Sequence, residues 1–168
     1  VPHISEHYVL VGSEKYPMKD PFLERVKGSL NTLLNAMTYP DKTVYPVASC
    51  NDKDFANRMD VYMDAVFHPD IYRHPEIFQQ EGWHYELPSP EDELTLNGVV
   101  YNEMKGAFPT PESALDRTAL NPLFPATPSA YASGGHPTHL PQLTYTEIPA
   151  VPLPHHHPRN PYPPPTRY

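Results

Sequence analysis

The distribution of proline limits what this chain can fold into. It has 168 residues and 24 prolines, and 8 of those prolines fall in residues 149–168, a stretch without Asp or Glu. Proline fixes φ and lacks a backbone N–H, so such a stretch supports neither a helix nor a central strand. Residues 148–168 read as an extended, disordered tail. The folding part is then 1–147, one domain of ordinary size. Apolar residues make up 39% of the chain, enough for that part to bury a core.

Charge and hydropathy exclude two classes of partner. The formal net charge is −8. A nucleic-acid groove needs clustered Lys and Arg, so no nucleic acid is expected. No run of 18 apolar residues exists, so no membrane span is expected. Cys50 is the only cysteine, which excludes an internal disulfide and fits a reducing compartment. Cys50 itself reads as a small buried side chain. The chain begins at Val1, and no signal or transit peptide is visible.

Apolar spacing gives a mixture of helices and short strands. Residues 3–10 read as a short helix ended by Gly12-Ser13. Phe22 to Leu34 has helical spacing. Residues 35–38 and 43–48 flank the turn Tyr39-Pro40-Asp41-Lys42 and predict a hairpin. The clearest helix covers about 52–67, with Asn51 or Asp52 as N-cap and a stripe of Phe55, Met59, Tyr62, Met63, Val66 and Phe67. Residues 78–87 suggest an extended piece. A helix begins near Leu96, and another starts at Thr110-Pro111-Glu112 and runs to about Leu120.

His3-Ile4-Ser5-Glu6-His7 has the H-x-x-E-H order of an inverted zincin. On a helix, His3 and His7 share one face, one turn apart, which suits two ligands of one zinc ion. Glu6 lies about 100° round the helix from His7, within reach of a water on that ion. A catalytic zinc needs a third protein ligand and an open position. Glu103, 96 residues after His7, is the strongest candidate. The triplet His155-His156-His157 reads as adventitious. His136 and His139 have no evident partner in the sequence.

Longer runs carry a resemblance. They are Gly12-Ser13-Glu14-Lys15-Tyr16-Pro17-Met18-Lys19-Asp20-Pro21-Phe22, Lys27 to Thr43, Phe78-Gln79-Gln80-Glu81-Gly82-Trp83-His84-Tyr85-Glu86, and Gly98 to Phe108. Through these and Ser133-Gly134-Gly135 the chain resembles the pitrilysin/insulysin zinc metallopeptidase superfamily, in its presequence-protease branch. The likeness covers nearly all of the first 147 residues.

The resemblance implies an α+β fold, a two-layer α/β sandwich, here an incomplete N-terminal domain without its first strands and its C-terminal part. It implies one Zn2+ per site, held by His3, His7 and Glu103, with Glu6 as catalytic base. Asn35 and Ala36 match the segment that contacts the substrate backbone. The implied partners are a peptide substrate and the remainder of a clamshell enzyme. The implied activity is endoproteolysis of short unfolded peptides such as cleaved targeting presequences. The implied compartment is the cytoplasm in a bacterium, or a mitochondrial or plastid matrix. The competing reading is an inactive truncated or structural homologue. The sequence also departs from the family pattern. Ser5 replaces a usual leucine and is expected to loosen the packing of the zinc helix. Pro109-Thr110-Pro111 replaces a usual Ser-Ser-Pro.

Overall fold

The computed structural model describes residues 1–17 and 31–150. Helix α1 spans Pro2–Val9. Pro2 stands in its first turn, where a missing N–H leaves nothing unsatisfied. Ile4, Tyr8 and Val9 are fully buried, and His3, Ser5 and Glu6 nearly so. A helix buried nearly all round sits in a core, not on a surface. The Ser5 hydroxyl donates to the Val1 carbonyl one turn back at 3.2 Å. It is therefore satisfied inside the helix, and the expected loosening is not seen.

One long hairpin lies beside α1. Strand β1 (Asn31–Leu34) pairs with β4 (Val47–Ser49), and β2 (Met37–Thr38) with β3 (Thr43–Val44), both antiparallel. Leu34 faces Val47 and Met37 faces Val44, so the register runs unbroken from one pair to the other. The ladder is interrupted opposite Tyr45–Pro46, and the register shifts by one residue between Asn31 and Leu33. Pro46 has no N–H to give, although its carbonyl accepts from Asn35 N at 3.2 Å. The predicted hairpin and its turn over 39–42 are thus present, with Tyr39 N donating to Lys42 O. The helix predicted over 22–34 ends as strand β1; its earlier residues lie outside the described residues. Pairing with Val47–Ser49 outweighs local propensity there.

Helix α2 (Asp52–Phe67) matches its prediction, and the Asn51 side chain accepts from Lys53 N and Asp54 N. Its buried face is Arg58, Val61, Tyr62 and Ala65, whereas Phe55 and Met63 are exposed. The expected stripe is therefore rotated on the helix. Cys50 is exposed, not buried, because it precedes the cap at the helix entrance.

Residues 70–86 bring the next piece of the site. A 3-10 turn (Asp70–Tyr72) leads to α3 (Glu76–Glu81), then β5 (His84–Glu86), which pairs with β6 (Thr95–Asn97). The extended piece expected over 78–87 is thus helical in its first half, because Ile77 and Phe78 turn into the core together at adjacent helical positions. Helix α4 (Val99–Ala107) begins after Gly98, later than expected, and fully buried Val100 anchors it. Helix α5 (Pro111–Leu123) is capped by Thr110 Oγ1, which accepts from Ser113 N at 3.2 Å. The short α6 (Glu147–Ala150) crosses the expected boundary at 147/148, and Ile148 is fully buried in the core. The fold class is α+β, with the sheet present as three two-stranded antiparallel pairs among the described residues. No helix among the described residues is long and apolar enough to cross a membrane.

Gly98 sets where α4 starts. Its φ is +149°, and an added Cβ would lie 2.4 Å from the Gly82 carbonyl oxygen. Gly106, later in the same helix, has nothing within 4 Å of such a Cβ. We expect Gly98→Ala to destabilise the protein by about 2–3 kcal/mol. Gly106→Ala should stabilise it by about 0.5–1 kcal/mol. Urea midpoints of the two variants check this; equal midpoints would contradict the steric argument.

Candidate metal centre

The sequence of α1 places His3 and His7 on one face, and their rings meet edge to face with centroids 5.0 Å apart. Helix α4 brings Glu103 to the same place. Glu103 Oε2 lies 3.5 Å from His3 Nε2 and 3.4 Å from His7 Nε2. One ligand atom from each residue can be chosen so that all three lie within 4.8 Å of one another. Ligand bonds of 2.0–2.1 Å at tetrahedral angles put neighbouring ligand atoms about 3.3–3.4 Å apart. The two observed His–Glu separations are close to that value, so the three side chains fit a divalent ion.

The outer nitrogens of both rings are occupied. His3 Nδ1 is 3.1 Å from the Gly134 carbonyl, and His7 Nδ1 is 3.3 Å from Glu81 Oε2. A carbonyl only accepts, so His3 carries its proton on Nδ1 and leaves the Nε2 lone pair facing inward. The Glu81 carboxylate acts in the same way on His7. Buried Glu81 also accepts from Gln80 Nε2 at 2.7 Å. Burial opposes the protonation of His7. The hydrogen bond and charge of Glu81, with the charges of Glu103 and Glu6, outweigh that effect and hold its pKa above the ordinary 6.5.

Glu6 is buried on α1, directly before His7, and its charge is felt at both His7 and Tyr45. The Tyr45 hydroxyl donates to the Glu6 backbone carbonyl at 3.4 Å and ties the hairpin to α1. Burial, and next the charge of Glu6, push the Tyr45 pKa far up, so it stays a neutral donor. Glu6, Glu81 and Glu103 together bring three carboxylates to two imidazoles. Such a set suits a divalent cation, because two of the three are buried and buried negative charge needs a counter-ion.

Asn35 and Ala36 lie on β1–β2 at the break in the ladder, beside α1 and outside the three-residue cluster. Asn35 N points into the hairpin, to Pro46 O, so Ala36 N points to the outer edge. There it is held at 2.9 Å by Asn35 Oδ1. His136 does have neighbours: its ring stands 4.2 Å from that of Phe108, and Thr138 N lies 3.2 Å from its Nδ1. Glu81 is the site residue that sequence reasoning missed. It stands in the run Phe78 to Glu86, but its spacing from His7 follows no helical or strand rule, and only the folded structure shows that it is buried.

Comparisons with known proteins identify the family of the chain. Residues 1–94 match the family model described as Insulinase (Peptidase family M16). The chain is 59% identical over 162 residues to Protein HypA of Clostridium perfringens, which covers 96% of this chain and 17% of that protein. It is 52% identical over 160 residues to Presequence protease 1, chloroplastic/mitochondrial, of Arabidopsis thaliana, covering 95% of this chain and 15% of that protein. Matches of this extent run past residue 147 into the proline-rich stretch. The crystal structure of pitrilysin superposes with a TM-score of 0.64 at 21% identity, over 90% of this chain and 15% of that one, and shows the same fold. The chain spans about one sixth of the length of the curated relatives it matches. On the family model and these identities, the chain belongs to the insulinase peptidases, family M16, in the presequence-protease branch.

Proposed function

We propose that this chain carries the catalytic centre of a zinc-dependent endopeptidase that degrades short unfolded peptides, cleaved targeting presequences among them. The observation that carries the reading is the approach of Glu103 Oε2 to both inward Nε2 atoms, at 3.5 and 3.4 Å, with Glu6 buried one residue before His7. His3, His7 and Glu103 would hold one Zn2+. In that place zinc supplies Lewis acidity, which polarises the scissile carbonyl and acidifies water near neutral pH. The Glu6 carboxylate then takes the water proton and delivers it to the leaving amine. Glu81 and the Gly134 carbonyl keep the two imidazoles aimed. The substrate backbone adds as a strand along the outer edge at Asn35–Ala36, displacing the Asn35 side chain from Ala36 N. Backbone pairing of this kind demands extended peptide and little sequence, which favours unfolded substrates. Organelle names among the relatives support a compartment where presequences are removed; in a bacterium it would be the cytoplasm.

In the native polypeptide, Glu6→Gln should keep zinc and lose peptide cleavage by at least a hundredfold. Glu103→Gln should lose zinc on dialysis against a chelator. Cleavage at the native rate by the first variant would refute the base, and full zinc retention by the second would refute the ligand.

Protons and metal compete for His7. Because its pKa is held above 6.5, zinc affinity should be flat at alkaline pH and fall about tenfold per unit below the raised value. In the metal-free protein, the contacts of protonated His7 stabilise the fold fully below about pH 6.5. That contribution is lost as pH rises through the raised value. Glu81→Gln should lower zinc affinity about 10–100-fold and move the break to lower pH. Chelator competition between pH 5.5 and 8.5 measures both, and an unchanged curve would remove Glu81 from the site.

A further inference from the structure

The three proposed zinc ligands are not held alike. His3 and His7 each have an outer hydrogen bond, to the Gly134 carbonyl and to Glu81. Glu103 has none. Among the described residues its carboxylate meets only the two imidazoles, and its side chain is 52% exposed. Whatever aims Glu103 must therefore act through helix α4.

Two contacts hold one face of that helix. Val100 is fully buried, and Met104, one turn later, packs against the same core. The Met104 thioether also covers Gly134. A Cβ added at Gly134 would lie 2.4 Å from Met104 Sδ, 2.6 Å from its Cε and 3.4 Å from His3 Nδ1. Met104 thus fills the space that a side chain would take there. The loop whose carbonyl accepts from His3 Nδ1 and the helix that carries Glu103 meet at this contact.

Small movements matter at such a contact. Helical side chains reach ~5–6 Å from the helix axis, so a rotation of α4 by ~10° would shift the Glu103 carboxylate by ~1 Å. The observed separations of 3.5 and 3.4 Å from the two Nε2 atoms leave little room for that. Methionine suits the task, because its unbranched thioether fills irregular gaps.

We infer that Met104 is a positioning residue of the metal centre: seated on Gly134, it sets the distance between the loop that orients His3 and the helix that carries Glu103. The inference rests on the peptidase reading and adds to it a residue that is not a ligand. The test, in the native polypeptide, is chelator competition for zinc together with the visible spectrum of the cobalt-substituted form. Met104→Ala should lower zinc affinity about 10–100-fold and change the cobalt spectrum, because the ligand geometry shifts. Met104→Leu, close in volume, should stay within about threefold of the wild type and keep its spectrum. Gly134→Ala has only to turn the flexible thioether aside, so it keeps the fold. It should lower affinity about tenfold and change the spectrum in the same way as Met104→Ala. Unchanged affinity in Met104→Ala and Gly134→Ala overturns the inference and leaves the peptidase reading standing. Lower affinity with the wild-type cobalt spectrum is a loss of packing alone and overturns it too. A wild type that binds neither zinc nor cobalt overturns both.

Discussion

The hydrogen bonds on the outer nitrogens of His3 and His7 fix what the rest of the structure can do. A histidine ring with both nitrogens free turns and changes tautomer. Here the Gly134 carbonyl and the Glu81 carboxylate hold the two Nδ1 atoms, and both Nε2 atoms are left to face Glu103. The two holders come from distant parts of the chain, the loop after α5 and the end of α3. Both depend on the burial of α1. With Ile4, Tyr8 and Val9 at no exposure, the helix cannot rotate to offer another face. Packing at the core is thus converted into the direction of two lone pairs.

The same arrangement concentrates negative charge. Glu6 and Glu81 are buried within reach of His7, and Glu103 stands at its other side. A structural core rarely gathers carboxylates without a gain elsewhere, since each buried charge costs several kcal/mol when it has no counter-ion. The raised pKa of His7 shows the pull of that charge, and a divalent ion would answer it more completely than a proton. Tyr45, held neutral, joins the hairpin to α1 through the Glu6 carbonyl. The hairpin and the helix that carries His3 and His7 are therefore one mechanical unit.

Much of this was legible in the sequence, for reasons that differ by residue. The spacing of His3 and His7 needs only a helix to become a face. The Asn51 cap and the Thr110-Pro111 start are local chemistry and appear where expected. Glu103 rested on resemblance, because no local rule links a residue to one 96 positions away. Glu81 was invisible for the same reason. Its role comes from burial against His7, which depends on how α3 packs on α1. Tertiary context also moved the local readings. The buried stripe of α2 turned to Arg58, Val61, Tyr62 and Ala65, and Gly98 delayed the start of α4 with a conformation that few other residues adopt. The core took in Ile148, one residue beyond the limit that proline composition suggested.

The central claim is that one metal ion sits between His3, His7 and Glu103. X-ray absorption spectroscopy of the zinc-loaded native polypeptide tests it most directly. The account predicts two imidazole nitrogens at about 2.0–2.1 Å and a carboxylate oxygen at about 2.0–2.2 Å, with one imidazole lost in His7→Ala. A sulfur ligand at about 2.3 Å, or a spectrum unchanged in His7→Ala, would place the ion elsewhere and contradict it.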